Sequence, residues 1–552
     1  MSAIVTDQFR INNAGNFLGD VNNSENSYYV FVGLSNPSAE VRMNAGAEAF
    51  GRNENDTEWN SDTTRKKPID NFNYSNHVKD TMIFGKKITS DNVRRVIRKV
   101  TWTKETRYDM YRHDYSESNL SPNGKTARLY DTDFYVINKD FNVYICINNG
   151  SSGINTTGNR SLNEPTLTGL EPFKATGSSD DGYLWKYLFT VAPSDIIKFD
   201  ATEFIPLPND WSSTTNANIA NVRDNGNADI NNNQIKTVYV DKKGSGYKNA
   251  GAGAAEFNIV GDGSGGKAIV EVGTDTKIND VKVSVGGKGY TYGLVDLTDI
   301  QPTVPNAELI PIIPPSKGHG SDIYKELGAD RVLVYARFDD STKDFPIDTK
   351  FAQIGIVKNP TSIGSTQIYN QTQYSSVSSL YLNVFPDTGV KIGDLITQNV
   401  QNSSSVTIGQ ARGYVVSFDI ISSDTDNRIA VLKYYRDRSL LFDTNGDGQT
   451  DTTGISSTAG SNGQIYDFTA SGQSISGTDG SSALTFTINS NFSGITTNPT
   501  GTKVVDLGVE FKNGLSQSEI NNQSGDIIYL DNRQLITRDS RQKEDIKVIL
   551  EF

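Results

Sequence analysis

Short stretches in which apolar and polar residues alternate, closed off by clusters of Gly, Asn, Asp and Ser, run through most of this chain. Successive side chains on a strand point to opposite faces, so alternation of period two between turn-forming residues buries one face only as β-structure. Strands are expected at Ser27–Val32, Tyr135–Ile147, Trp185–Val191, Ile235–Val240, Val332–Phe338, Gln353–Val357, Tyr414–Phe418, Ala430–Tyr435 and Ile546–Phe552. The 552 residues exceed what one core usually serves, which sets a prior of roughly three or four domains. The expected fold is mainly β with a few short helices: a multidomain, β-sandwich-like core carrying inserted small β-domains.

Only two helices are expected. Asn76 caps a short one running through Met82 and Phe84, with Gly85 just past its end. A second starts at Ser90, where Val93, Val96, Ile97 and Val100 recur at helical spacing and Arg94, Arg95, Arg98 and Lys99 take the other face. In an acidic chain that basic face reads as solvated or subunit-facing rather than as a phosphate site.

Two stretches differ in texture. Residues 225–318 are Gly-rich and carry an internal repeat. Ile235, Val238, Val240, Gly244, Gly246 and Tyr247 return as Ile278, Val281, Val283, Gly287, Gly289 and Tyr290, at a constant offset of 43 residues. Each copy reads as an alternating strand, a Gly-x-Gly turn able to take positive φ, and an anchoring Tyr. Pro302, Pro305, Pro311, Pro314 and Pro315 then read as a stiff exit linker. Residues 365–522 are rich in Ser, Thr, Asn and Gly, with a long exposed loop expected at 454–463.

The chemical motifs are sparse. With 1 Cys (Cys146) and 3 His (His77, His113 and His319), thiolate–imidazole zinc clusters, disulfide frameworks and CxxC redox pairs are excluded. Gly261-Asp-Gly263-Ser-Gly-Gly266 satisfies G-x-G-x-x-G, but a strand-like segment follows where a dinucleotide site needs a helix, so it reads as a hairpin turn. Gly124-Lys125-Thr126 lacks the first glycine of a P-loop because Asn119 stands there. Asp443, Asn445, Asp447, Gln449 and Asp451 place side-chain oxygens at odd-numbered loop positions, with Gly448 at the sixth, which fits a calcium-wrapping turn. Gly454 replaces the bidentate Glu of an EF-hand, and a plain Asx-rich turn is the competing reading. No other cofactor is expected. Asp180-Asp181 and Asp339-Asp340 are adjacent carboxylates, which a strand would turn to opposite faces, so neither pair makes an acid/base couple. His77 and His319 read as turn or interface residues, and an enzyme is not expected.

The net charge of −13 argues against nucleic acid or an anionic membrane surface as partner. Met1–Asp7 has no cationic start before an apolar core, and no apolar run approaches the ~20 residues of a membrane span. A soluble protein made in a cytoplasm is therefore the expectation.

Four phrases carry a resemblance. They are Ala3–Arg10 followed by Tyr28–Pro37; Asp180–Phe189 closed by Ala192-Pro193; Phe351–Pro360; and Gly525–Arg533, running through Arg541–Asp545 to Ile546–Phe552. In this order they resemble the baseplate wedge subunits of T-even-type contractile-tailed bacteriophages, the gene product eight class. Gly318-His-Gly-Ser-Asp322 with Glu326-Leu-Gly-Ala329 is similar to a phrase recurrent in virion proteins of such phages. On this likeness, residues 1–224, 319–364 and 523–552 form a discontinuous wedge core. Residues 225–318 and 365–522 are inserted β-rich modules absent from the shorter T-even form. The resemblance implies a structural virion protein that forms a homodimer within each wedge. Its partners would be the wedge backbone and the protein anchoring the short tail fibres, with no nucleic acid and no membrane insertion. The terminal strand Ile546–Phe552 is expected in the core or at a subunit seam. The Gly/Tyr repeat and the Asp-rich loop leave a second reading open, a receptor- or glycan-binding virion adhesin.

Overall fold

A computed structural model describes residues 5–33, 78–79, 81–177, 179–339, 350–391, 394–401, 403–405, 407–436, 466–470, 473–478, 483–537 and 542–552. Strand accounts for 43% and helix for 11%, so the protein is mainly β with few, short helices. Among the described residues no helix is long and apolar enough to cross a membrane. The chain divides into two compact units, one of Met1–Leu18, Asn92–Val334 and Lys547–Phe552, the other of Gly19–Asp91 and Tyr335–Ile546.

In the first unit, Tyr135–Ile137, Asn142–Asn149 and Tyr183–Thr190 form a three-stranded antiparallel sheet. The single strand expected at Tyr135–Ile147 is thus a hairpin. Asn138 accepts hydrogen bonds from the amides of Asp140 and Asn142, and Phe141 adopts φ +59°, which together turn the chain. The sheet anchors an aromatic core holding Tyr108, Phe134, Tyr144, Tyr183 and Trp185.

The Gly-rich segment surrounds its own core, which includes Ile235, Tyr247, Val270, Ile278 and Tyr290. Its strands Ala254–Gly261, Lys267–Val272, Ile278–Val285 and Gly293–Val295 make one sheet, and Val238–Lys243 pairs with Ala307–Pro311. The proline run is therefore no free linker. Pro311 stands at the end of a paired strand, where its missing N–H is tolerated.

In the second unit, Tyr28–Gly33 lies between Met82–Ile88 and Lys350–Lys358, with Gln373–Ser375 and Asp526–Thr537 at the two edges. All six residues of Tyr28–Gly33 are buried, as suits a central strand covered on both faces. A larger sheet is built around Thr407–Asp424, Asn427–Arg436 and Ser378–Val384.

Residues 78–79 and 81 are helical, as expected, but the rest of the first expected helix and all of the second are corrected. Met82–Ile88 is a strand flanked on both sides, and Gly85 is a mid-strand position against the Tyr374 ring instead of a helix end. Burial on both faces removes the alternation that would have marked it, leaving an apolar run readable either way. Asn76 lies outside the described residues. Only a 3-10 turn, Ser90–Asn92, precedes the strand Val93–Arg98, which pairs with Arg331–Phe338 and Phe204–Pro206. The branched Val93, Val96 and Ile97 favour that pairing over a helix.

The longest helix, Asp7–Asn22, escaped the strand-oriented reading although its signal is present. Thr6 accepts from the Phe9 amide at 3.4 Å as an N-terminal cap, and Ile11, Ala14, Leu18 and Val21 are buried at helical spacing. The terminal strand Glu544–Glu551 takes the edge of the sheet containing Arg331–Phe338, with Val548 buried.

Candidate functional site: a basic cleft on a pinned glycine loop

The calcium candidates Asp443, Asn445, Asp447, Gln449 and Asp451, and the loop 454–463, lie outside the described residues. Among those described, no group of three or more His, Cys, Asp and Glu is placed to hold a metal. Asp180 and Asp181 have separate surroundings and separate partners. Asp180 is exposed and pairs with Lys174 at 2.6 Å, whereas Asp181 is buried and accepts from the amides of Leu162, Asn163 and Tyr183. Asp339 pairs with Lys543 at 3.9 Å, and Asp340 lies outside the described residues, as does His77.

Gly261–Gly266 leads from one strand into the next, as a hairpin turn should. Gly124-Lys125-Thr126 is a tight turn in which Ser121 accepts both the Lys125 and Thr126 amides, through its carbonyl and its hydroxyl. Cys146 is buried in the aromatic core, and burial pushes its thiol pKa up, away from reactivity. His113 accepts from the Ile313 amide at 3.2 Å, and its burial lowers its pKa.

The basic run 94–99 is not a solvated helix face. Because it is a strand, its cations reach carboxylates on neighbouring segments: Arg94 meets Asp195 at 3.1 Å, Arg98 meets Asp133 at 2.8 Å, and Lys99 meets Asp200 at 2.8 Å. Arg95 differs. Its guanidinium stacks 4.0 Å over the Tyr324 ring, and its Nε is buried with no hydrogen-bond partner among the described residues. Burial lowers its pKa, against the opposing pull of Tyr324 and Asp322.

Arg95 lines a cleft of about 660 Å³ within the first unit, together with the helix residues Ile11 and Gly15, Trp211, and the segment from Pro315 to Lys325. The glycine phrase singled out in the sequence forms this rim. Gly318 and Gly320 take φ +94° and +89°, a region that side chains rarely enter. Between them His319 turns inward, 97% buried, with Nδ1 2.6 Å from Glu326 Oε1; Glu326 Oε2 accepts the Gly320 amide at 2.6 Å. Trp211 Nε1 donates to the carbonyls of Gly320 and Ser321, and Tyr111 meets the imidazole edge-on at 4.9 Å. Asp322 caps the one-turn helix Ile323–Glu326 by accepting from the Tyr324 and Lys325 amides.

His319 is thus a turn residue, as its glycine neighbours suggested, but one held by a buried contact with a carboxylate. The Glu326 partner lay within the quoted phrase, seven residues on, whereas nothing in the sequence joined Arg95 to Tyr324 or Gly15. No family model matches this chain, and no curated protein matches it.

Proposed function

We propose that this chain is a structural, non-enzymatic subunit of a contractile phage tail baseplate wedge. It would be assembled in the host cytoplasm, reside in the virion, and act as a homodimer that bridges the wedge backbone and the short-tail-fibre anchor during assembly and host-triggered rearrangement. The observation that carries this reading is where the wedge-like phrases fall. Three of them, far apart in sequence, become neighbouring strands of one sheet: Tyr28–Gly33 beside Lys350–Lys358, beside Asp526–Thr537. A likeness shared by strands that touch is what a common framework would leave, and scattered chance matches have no reason to meet. The polar burial also suits a scaffold, since ion pairs, caps and turns account for the charged residues described above other than Arg95.

The test is quantitative mass spectrometry of purified tails combined with cross-linking of the intact baseplate. Two copies per wedge, and cross-links from this chain to itself and to the wedge backbone, are the expected result. Absence from purified tails would remove the proposal.

A receptor- or glycan-binding role for the Gly-rich module is the second reading, favoured by exposed Tyr292, Leu294 and Val260 on its edge-strand pair. Saturable binding of the full chain to host-surface glycans, lost in Tyr292→Ala, would support it.

A further inference from the structure

We propose that the cleft beside Arg95 binds a carboxylate-bearing ligand, with the Arg95 guanidinium as its fork. Three of the four cations in the run 94–99 have a carboxylate within 3.1 Å, and Arg95 has none among the described residues. A guanidinium carries five N–H donors; that of Arg95 is half-buried, and its Nε is buried with no partner among the described residues, so the geometry favours an acceptor arriving from the cleft.

The fork is held in place before any ligand arrives. Tyr324, which stacks on it, donates to the Pro208 carbonyl at 2.6 Å and accepts from the Trp211 amide at 3.2 Å, so the ring cannot swing away. Gly15 on the facing helix leaves the space that Arg95 occupies, since a Cβ there would stand 2.5 Å from Nη2.

Size and charge narrow the ligand. A cleft of about 660 Å³ is ample for a side chain with its flanking backbone or for a small organic acid. Arg95, Arg223, Lys317 and Lys325 line it against only Asp224 and Asp322. Those two are engaged, Asp224 with Arg223 at 3.0 Å and Asp322 as the helix cap. The surplus is positive in a chain whose net charge is −13, so the cleft draws an anionic group that the chain as a whole repels. A carboxylate is planar and accepts two parallel N–H bonds, matching an arginine fork. It can come from an acidic protein segment or from a free organic acid. The inference is independent of the baseplate reading.

The experiment is titration calorimetry on the full chain at constant ionic strength with three probes: an N-acetylated Glu-Asp-Glu tetrapeptide amide ending in Gly, free glutarate, and inorganic phosphate. Saturable heat is expected from at least one carboxylate probe, with phosphate weaker. Affinity should fall about tenfold or more in Arg95→Met and severalfold in Lys317→Glu. Lys317 is exposed on the rim, so its variant reports even where Arg95→Met fails to fold. Tighter binding of the peptide assigns the carboxylate to a protein segment, and tighter or equal binding of glutarate assigns it to a small acid. No saturable heat from either carboxylate up to about 10 mM, phosphate binding as tightly as the better carboxylate, or unchanged affinity in the folded variants would each overturn the proposal.

Discussion

The aromatic sheet around Tyr183–Thr190 and the Gly-rich repeat belong to one unit but are held together by opposite means. In the first, large side chains fill space. Tyr183 stacks on Trp185 with ring centroids 5.3 Å apart, Tyr108 meets Trp185 edge-on at 5.9 Å, and Lys186 buries its ammonium to donate to the Leu170 carbonyl at 2.5 Å. In the second, backbone geometry dominates. Gly244 and Gly246 take φ +61° and +80°, and their counterparts Gly287 and Gly289 take +63° and +76°. Each copy then buries one Tyr. The copies also brace each other: the Tyr247 amide donates to the Thr276 carbonyl just before the second copy, and Gln234, just before the first, clamps the amide and carbonyl of Tyr290. One region should therefore fail when atoms are removed, and the other when a methyl group is added.

The sharpest break in that contrast is Trp185→Ala, which should lower unfolding free energy by about 3–5 kcal/mol in denaturant titrations. The same truncation at exposed Tyr292 should change it by no more than about 0.5 kcal/mol. Comparable losses at the two positions would refute the volume argument.

Next comes a pH response that belongs to the aromatic region. Burial lowers the Lys186 pKa from 10.5 to about 8. The unfolded chain then holds the proton more tightly, so stability rises with pH from about 8 toward 10.5 and the full penalty stands below 8. That penalty is about 3 kcal/mol. Above pH 10 the trend reverses, because buried tyrosines such as Tyr135 and Tyr183 have raised pKa values and stay protonated only in the fold. Thermal melts from pH 7.5 to 9.5 should show the rise in the parent and none in Lys186→Met, where the buried Cys146 thiol, protonated only in the fold at the upper end of this range, gives a slight fall. An equal slope in both would assign it elsewhere.

For the repeat, Gly287→Ala should cost about 2–3 kcal/mol, because a Cβ there adds left-handed strain to contacts of 2.6 Å with the backbone of Gly266 and Ser264. Gly289→Ala meets nothing nearer than 3.9 Å and should cost about 1 kcal/mol, the strain alone. Hydrogen exchange within the module distinguishes them, and equal effects would show that close approach is irrelevant. The smallest difference is between the two tyrosines. The Tyr290 hydroxyl donates to the Ile259 carbonyl and accepts from the Gly266 amide, whereas Tyr247 accepts only from Ala307. Tyr290→Phe should thus cost about 1–2 kcal/mol and Tyr247→Phe about 0.5–1 kcal/mol.

How much of this was legible depended on whether the signal was local. The positive-φ glycines and buried tyrosines of both repeat copies were readable, because a Gly-x-Gly after an alternating strand has few conformations open to it. The hairpin reading of Gly261–Gly266 held for the same reason. Val93–Arg98 was misread as a helix because its apolar spacing satisfies a helical period, and only pairing with Phe204–Pro206 and Arg331–Phe338 decided otherwise. That misreading also hid the cleft: four cations on a supposed solvated face became three ion pairs and one stacked arginine.

Taken alone, the sequence determined the β class, the duplicated unit with its turn glycines, and the scarcity of Cys and His, at 1 and 3 residues. These depend on side-chain period, on φ preference and on residue type, all of which act over a few neighbouring positions. Only the tertiary structure decided that three distant phrases lie side by side in one sheet, that His319 faces Glu326, and that Arg95 meets no carboxylate among the described residues. Strand partners and ion pairs are chosen among segments tens to hundreds of residues apart, and no local pattern encodes which of them will meet.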